Sequence, residues 1–239
     1  LDLTVDYELI DQPYVLVKAQ LIDHPEISCE LSMPVHFNGK YRFYFDGKEG
    51  NSGSHGTTYQ YRSIGTRPAD YDLPNYYQTT NMSGATGSHG GHGRTGEDGP
   101  DVNIFVSMVD CQFEKKELVK IEVSPEGGET YYRYLEKGGK VIVYANGGDG
   151  GNGGRGGKGG YGINGGHGGN GGYGGNAGYG GNGGDVTVFI EEGALLFKDQ
   201  ILIINKGGEP GLPGGYGSGG EGSANIGVDG NFGRPGQNG

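Results

Sequence analysis

The chain lacks the residues that would place it in several common classes of protein. Its 239 residues include no tryptophan, and no apolar run is long enough to cross a bilayer as a helix. The two cysteines, Cys29 and Cys111, lack the CxxC spacing of a zinc or redox site and allow at most one disulfide. With only 10 prolines, the sequence also lacks the composition of a collagen triple helix.

Positive charge is scarce. Lysine and arginine supply 18 residues against 29 aspartates and glutamates, which gives a net charge of −11 and a pI near 4.9. Such a surface repels phosphate backbones and anionic lipid head groups. We therefore expect neither nucleic acid nor membrane insertion among the partners.

Catalytic motifs are missing as well. The sequence contains no nucleophile elbow, no HExxH and no paired-carboxylate motif, and its carboxylates are scattered along predicted strands and turns. We expect a protein that is not an enzyme and that carries no cofactor and no metal. One alternative stays open, because His55, His89, His92 and His167 lie in glycine-rich tracts whose neighbours could bring them together as metal ligands.

Glycine is present in great excess, at 56 residues, and it recurs with a period of three. Residues 147–185 divide into thirteen triplets, nearly all Gly-Gly-X, and shorter tracts with the same spacing lie at 47–56, 84–99, 208–220 and 227–239. A disordered linker has no reason to keep this phase, whereas a left-handed polyglycine II helix has three residues per turn. The period therefore predicts an ordered bundle of such helices.

The length of the longest tract predicts where its helices turn. Thirty-nine residues would extend for roughly 120 Å, which exceeds the size of a compact chain of this length. The two triplets that depart from Gly-Gly-X predict turns at Ile163–Asn164 and at Asn176–Ala177. We expect three passes from this tract, and six or seven helices in all.

Between the tracts, short apolar and β-branched runs predict strands, and no long helical periodicity competes with them. The predicted strands are 3–5, 14–17, 27–31, 41–45, 102–109, 118–123, 130–135, 140–144, 186–190 and 195–204. The predicted fold class is mainly β with a polyglycine II helix bundle, in which strands alternate with glycine-rich tracts and α-helix is almost absent. We expect a β-strand region at 1–46 that packs as one unit with a glycine-rich bundle, interleaved with strands, at 47–239.

Two segments carry a resemblance to a known family. Residues 145–153 (ANGGDGGNG) and 93–104 (GRTGEDGPDVNI) resemble the glycine-rich N-terminal domain of Obg-family GTPases. The resemblance implies polyglycine-type helices mounted on a small β-barrel. The phosphate-loop motif GxxxxGK[ST] of the family's GTPase domain does not occur, since Gly156-Gly157-Lys158-Gly159 lacks the spaced first glycine and the hydroxyl residue. The long tract is also similar to polyglycine II bundles of phage tail-tip adhesins and of a springtail antifreeze protein.

The third residue of each triplet predicts the candidate binding surface. These residues would line one ridge of each helix about 9 Å apart, and they either face water or bind a glycan, a receptor or a self-assembly partner. The candidate binding residues are Tyr161, His167, Tyr173 and Tyr179 in the tract and Tyr71, Tyr76 and Tyr77 in a tyrosine-rich loop. We expect an extracellular or surface-exposed structural and adhesive module; the alternative is an Obg-like intracellular interaction domain that docks on a larger assembly.

Overall fold

The computed structural model describes most of the chain, namely residues 14–20, 23, 28–34, 37–58, 83–111, 115–163 and 165–239. These residues form strands and very little helix, which confirms the mainly β prediction. The strands are β1 (Tyr14–Gln20), β2 (Ser28–Pro34), β3 (Lys40–Tyr44), β4 (Val102–Cys111), β5 (Lys116–Pro125), β6 (Tyr131–Leu135), β7 (Lys140–Tyr144), β8 (Val186–Ile190) and β9 (Ile201–Ile204).

The predicted strand at 195–204 is wrong in its first half. Residues Glu192–Gln200 form a 3-10 helix, and only Ile201–Ile204 pair as a strand. The helix buries Ala194 and leaves Leu196 exposed, so its apolar residues do not alternate between a buried and an exposed face as they would in a strand. Within the described residues, no helix is long and apolar enough to cross a membrane. The predicted strand at 3–5 lies outside those residues.

The strands form three sheets. β1 and β2 make an antiparallel pair, and β3, β7 and β9 make a parallel sheet in the order β3-β7-β9. The third sheet has the order β6-β5-β4-β8, in which β4 and β8 are parallel and the other pairs antiparallel. Parallel neighbours need long crossover connections, and the glycine-rich tracts within 46–99 and 146–184 lie in those connections, whereas residues 205–239 follow the last strand.

The chain divides into two compact units, each assembled from three stretches. The strand unit comprises 1–45, 100–145 and 185–204, and the glycine unit comprises 46–99, 146–184 and 205–239. The strand unit contains the apolar core, in which alternate residues of β4 and β5, such as Ile104 and Ile121, are fully buried. Cys111 is a free, buried thiol beside Phe37 and Leu118.

The glycine unit consists, in its described part, of six segments held together by backbone hydrogen bonds. We number them I (46–58), II (83–99), III (146–162), IV (166–184), V (205–222) and VI (225–239). Segments I, III and V run parallel and form a first layer, and segments II, IV and VI form a second layer. The two layers run antiparallel to each other, as the bonds between segments III and IV show.

The long tract reverses once rather than twice in the described residues. Gly165, at φ +81°, and the bond from the Gly166 N–H to the Ile163 carbonyl mark the reversal that was predicted near Ile163. The turn predicted at Asn176–Ala177 is wrong, because Ala177 lies within segment IV and its N–H donates to Arg234 like its glycine counterparts. The tract therefore makes two passes instead of three.

Candidate functional site

The two glycines of a Gly-Gly-X triplet bond to two different neighbouring segments, and the third residue carries the side chain that is displayed. Gly150 donates its N–H to the Glu209 carbonyl of a parallel segment, and Gly151 donates to the Arg94 carbonyl of an antiparallel segment, both at 2.8 Å. The third residue, Asn152, is exposed. We call such third-residue positions outward positions.

Glycine is required at the two inner positions because backbones meet there. A Cβ built on Gly151 would lie well inside van der Waals contact of the Asn51 carbonyl, and one on Gly150 would do the same at Gly178. The same close contacts recur along segments III and IV, so these two segments display their long side chains on the outer faces of the two layers.

The outward N–H groups have acceptors of an unexpected kind. The N–H of Asn176 donates to Nδ1 of His92 at 2.8 Å, and the N–H of Leu212 donates to Oδ1 of Asn152 at 2.7 Å. We call a side chain that accepts an outward N–H of the parallel neighbour a cap. Other caps are Asp46, His55, Thr58, Ser83, His89, Asp98, Asn146, Asp149, Asn170 and Asn176.

Three of the four tract histidines serve this same purpose. His55, His89 and His92 each accept a backbone N–H through Nδ1, which places their proton on Nε2 and directs Nε2–H outward. Among the residues that the structure describes, no group of three His, Cys, Asp or Glu side chains is placed to hold a metal ion. The geometry thus gives these imidazoles a structural task.

The second layer carries a surface groove lined by aromatic and polar side chains. His89 of segment II stacks on Tyr173 of segment IV with ring centres 4.8 Å apart and planes 8° apart. Beside them lie Asn176, Phe232 and Arg234, and the hollow between these side chains measures about 390 Å³. His92 and Asn231 complete its lining.

Polar atoms in this groove remain available for a ligand after capping. Asn176 accepts the Arg234 N–H through Oδ1, so the NH₂ group of its side chain is not used in that bond and can donate to a ligand. His92 uses Nδ1 for Asn176 and keeps its Nε2–H. Phe232 is 67% exposed and meets Tyr216 edge-on, so an apolar ring lies next to these donors.

The structure places the predicted binding residues on two different layers. Tyr173 and Tyr179, each 51% exposed, and His167 belong to segment IV in the second layer. Tyr161 belongs to segment III in the first layer, where Lys158 lies over its ring at 5.3 Å. Tyr71, Tyr76 and Tyr77 lie outside the described residues.

Of the seven groove residues that carry side chains, sequence reasoning predicted only Tyr173 as a binding residue. The other six were not among the predicted binding residues, although the period of three puts several of them at outward positions; they are His89, His92, Asn176, Asn231, Phe232 and Arg234. What the period does not reveal is which segments are neighbours. The bonds show that segment IV lies between segments II and VI, and this order brings the three sets of side chains together.

No family model, no curated protein and no solved structure matches this chain. The function therefore rests on the geometry of the groove and on the chemistry of its residues.

Proposed function

We propose that the six glycine segments are polyglycine II helices packed as a bundle. The support is the pattern of hydrogen bonds, in which every third residue donates to the same neighbouring segment, as Gly168, Gly171 and Gly174 do to segment VI. Such a helix has three residues per turn and no internal hydrogen bonds, so its backbone groups must pair between helices. The close backbone contacts at the inner glycines support the same proposal.

The bundle, in this proposal, is the scaffold of a non-enzymatic structural and adhesive module that acts outside the cell or on its surface. The observation that carries it is the exposed His89–Tyr173 stack beside Phe232, Asn176 and Arg234. Flat rings next to amide and guanidinium donors suit a carbohydrate, whose apolar ring face packs on an aromatic and whose hydroxyls accept and donate hydrogen bonds.

Rigidity of the groove adds to this function. His89, His92 and Asn176 are each fixed by a hydrogen bond to a neighbouring backbone N–H, at 2.9, 2.8 and 2.9 Å respectively. A side chain that is already ordered loses less conformational entropy when it binds. The caps thus hold the recognition surface in place before a ligand arrives.

A glycan array followed by calorimetric titration of the best ligand tests this proposal. Tyr173→Ala and Phe232→Ala should each weaken binding about tenfold, since each removes a ring from the groove. Tyr161→Ala is the matched control, because it removes an exposed tyrosine from the other layer and should leave the affinity unchanged. Absence of any glycan ligand, or equal losses for Tyr161→Ala and Tyr173→Ala, would contradict the proposal.

A further inference from the structure

The row of caps on the first layer stops partway along segment V. The outward N–H groups at 206, 209 and 212 are accepted by side chains at residues 146, 149 and 152, in each case 60 residues earlier. The next two outward positions, Gly215 and Ser218, correspond in this register to Arg155 and Lys158. Arginine and lysine side chains only donate, so they cannot serve as caps. In the described structure the N–H groups of Gly215 and Ser218 have no acceptor.

Arg155 and Lys158 are themselves without a carboxylate partner in this part of the chain. The Nε of Arg155 makes one long contact, 3.4 Å, with the Tyr216 carbonyl. His55 accepts the Arg155 N–H through Nδ1, which leaves an imidazole N–H directed outward at the same place. One place on an acidic protein therefore collects two cations without a carboxylate partner among the described residues and two backbone N–H groups, of Gly215 and Ser218, without an acceptor.

Arg155, Lys158 and Ser218 line a groove of about 450 Å³ together with His55 and Thr58, over a floor of glycine backbone. Gly215 lies beside Arg155, since a Cβ built on it would be 3.9 Å from Cγ of Arg155. We propose that this groove is an oxyanion-binding site for a sulfate or phosphate monoester. Charged donors and backbone N–H groups together are the usual means by which proteins hold tetrahedral oxyanions. The oxygens of the anion would accept the N–H groups that no cap accepts.

The surrounding charge selects a single anionic group rather than a polyanion. The net charge is −11, and Glu221 occupies the outward position next after Ser218 on the same segment. Asp149 and Glu209 occupy outward positions two triplets earlier on segments III and V. A nucleic acid or another chain of many anions would meet these carboxylates, whereas one ester group on a neutral molecule would not.

The site is independent of the proposed glycan groove, because it lies on the outer face of the first layer. Its test is an NMR titration of the whole chain with sodium sulfate, sodium phosphate, galactose 6-sulfate, galactose 6-phosphate and galactose. The anions should shift the amide signals of Gly215 and Ser218 in a saturable way, and galactose should not. The relative affinity of the sulfate and phosphate ligands shows which ester the site prefers.

Two substitutions make the test specific. Arg155→Asn and Lys158→Asn supply the acceptor that Asn152 supplies to Leu212, so each should weaken anion binding about tenfold or more while the melting temperature stays the same or rises. Lys206→Gln is the control, because it removes a cation from segment V at a position whose N–H is accepted by the Asn146 side chain. Equal weakening by Lys206→Gln, no shift at Gly215 and Ser218, or tighter binding of a short oligonucleotide than of the monoesters would overturn the proposal.

Discussion

Adjacent glycines in this fold differ sharply in what they tolerate. A Cβ on Gly214 would collide with the Gly154 carbonyl, whereas one on Gly215 would meet only Cγ of Arg155, at 3.9 Å. The inner glycine therefore has a steric reason to be glycine, and its neighbour has none. This contrast shows why the sequence repeats glycine pairs rather than a general excess of small residues.

Alanine substitution at these two positions should give opposite results. We expect Gly214→Ala to destabilise the protein by about 3 kcal/mol, because the methyl group forces two backbones apart. Gly215→Ala should be neutral or stabilising by about 0.5 kcal/mol, since it only restricts the unfolded chain. Chemical denaturation of the two variants measures the difference, and equal effects would argue against close backbone packing at Gly214.

Asparagine, aspartate and histidine recur at outward positions because they share one stereochemical feature. Each carries a hydrogen-bond acceptor at the δ1 atom, one bond beyond Cγ, within reach of the N–H of the parallel neighbour. Asn152, Asp149 and His92 use that atom in the same way. Residues that look like candidate ligands in the sequence are thus backbone acceptors in the fold.

His92 offers a direct test of this equivalence. His92→Asn should preserve the bond to the Asn176 N–H and most of the stability, whereas His92→Ala should cost about 1 kcal/mol. Amide exchange at Asn176 should accelerate only in His92→Ala. Thr95→Ala is the matched control, because Thr95 lies one triplet further along the segment and makes no such bond. If the two His92 variants lose the same stability, the acceptor is not what stabilises this position.

At the scale of whole segments, the phase of the triplets decides which residues face a neighbouring backbone. Segment IV donates through Gly168, Gly171 and Gly174 to segment VI and through the glycine that follows each of them to segment III. Moving the phase by one residue would press an outward side chain such as Asn176 against backbone. If the segment moves by three residues, each residue pairs with a different partner residue, but inner residues stay inner and outward residues stay outward.

Insertions should therefore depend on length in steps of three. One glycine inserted after Tyr173 should disrupt the rest of segment IV and cost at least about 3 kcal/mol, because several side chains would meet carbonyls. A Gly-Gly-Asn insertion at the same point should cost much less. Thermal unfolding of both variants measures this, and a triplet insertion as damaging as the single one would contradict the importance of phase.

The sequence predicts the strands and the period of three, since both leave regular signals, but of the two turns it predicts only the one near Ile163 is found. Ala177 illustrates the limit, because a break in the Gly-Gly-X pattern predicts a reversal although a single methyl group fits within the segment. The Ala177 N–H keeps its bond to the Arg234 carbonyl, as the neighbouring inner glycines keep theirs to segment VI.

The candidate site was predictable only in part for a related reason. Tyr173 and Tyr179 could be placed on an outer face from their phase alone. Their neighbours Phe232 and Arg234 could not, because the offset between segments IV and VI is set by the length of intervening chain and not by any local pattern. Which segments lie next to each other is decided only when the whole glycine unit has folded.

For the molecule as a whole, the strands and the glycine segments share their registers. β3 and β7 pair at the same offset, 100 residues, as segments I and III. β4 and β8 share the offset of 84 with segments II and IV, and β7 and β9 share that of 60 with segments III and V. Because glycine segments have little apolar surface of their own, we expect the paired strands to set and hold these registers.

This expectation predicts a single unfolding transition. Ile121→Ala, a substitution in the fully buried core of the strand unit, should cost about 2–5 kcal/mol and lower the melting temperature of both units together. Far-ultraviolet circular dichroism and the NMR signals of the glycine amides would follow the two units. Glycine amide signals that persist well above the melting of the strands would show that the segments hold their register alone. Phe232→Ala, at an exposed position, is the control.

Residue-resolved amide hydrogen exchange tests the central claim, the bundle of polyglycine II helices, most directly. We expect protection with a period of three, in which both inner residues of each triplet of segments III and IV exchange slowly. Outward amides should be slow only where they are capped, so Tyr173 and Asn176 should be protected and Tyr179 should exchange fast. Uniformly fast exchange, as in a disordered chain, or protection that alternates with a period of two, as at a sheet edge, would contradict it.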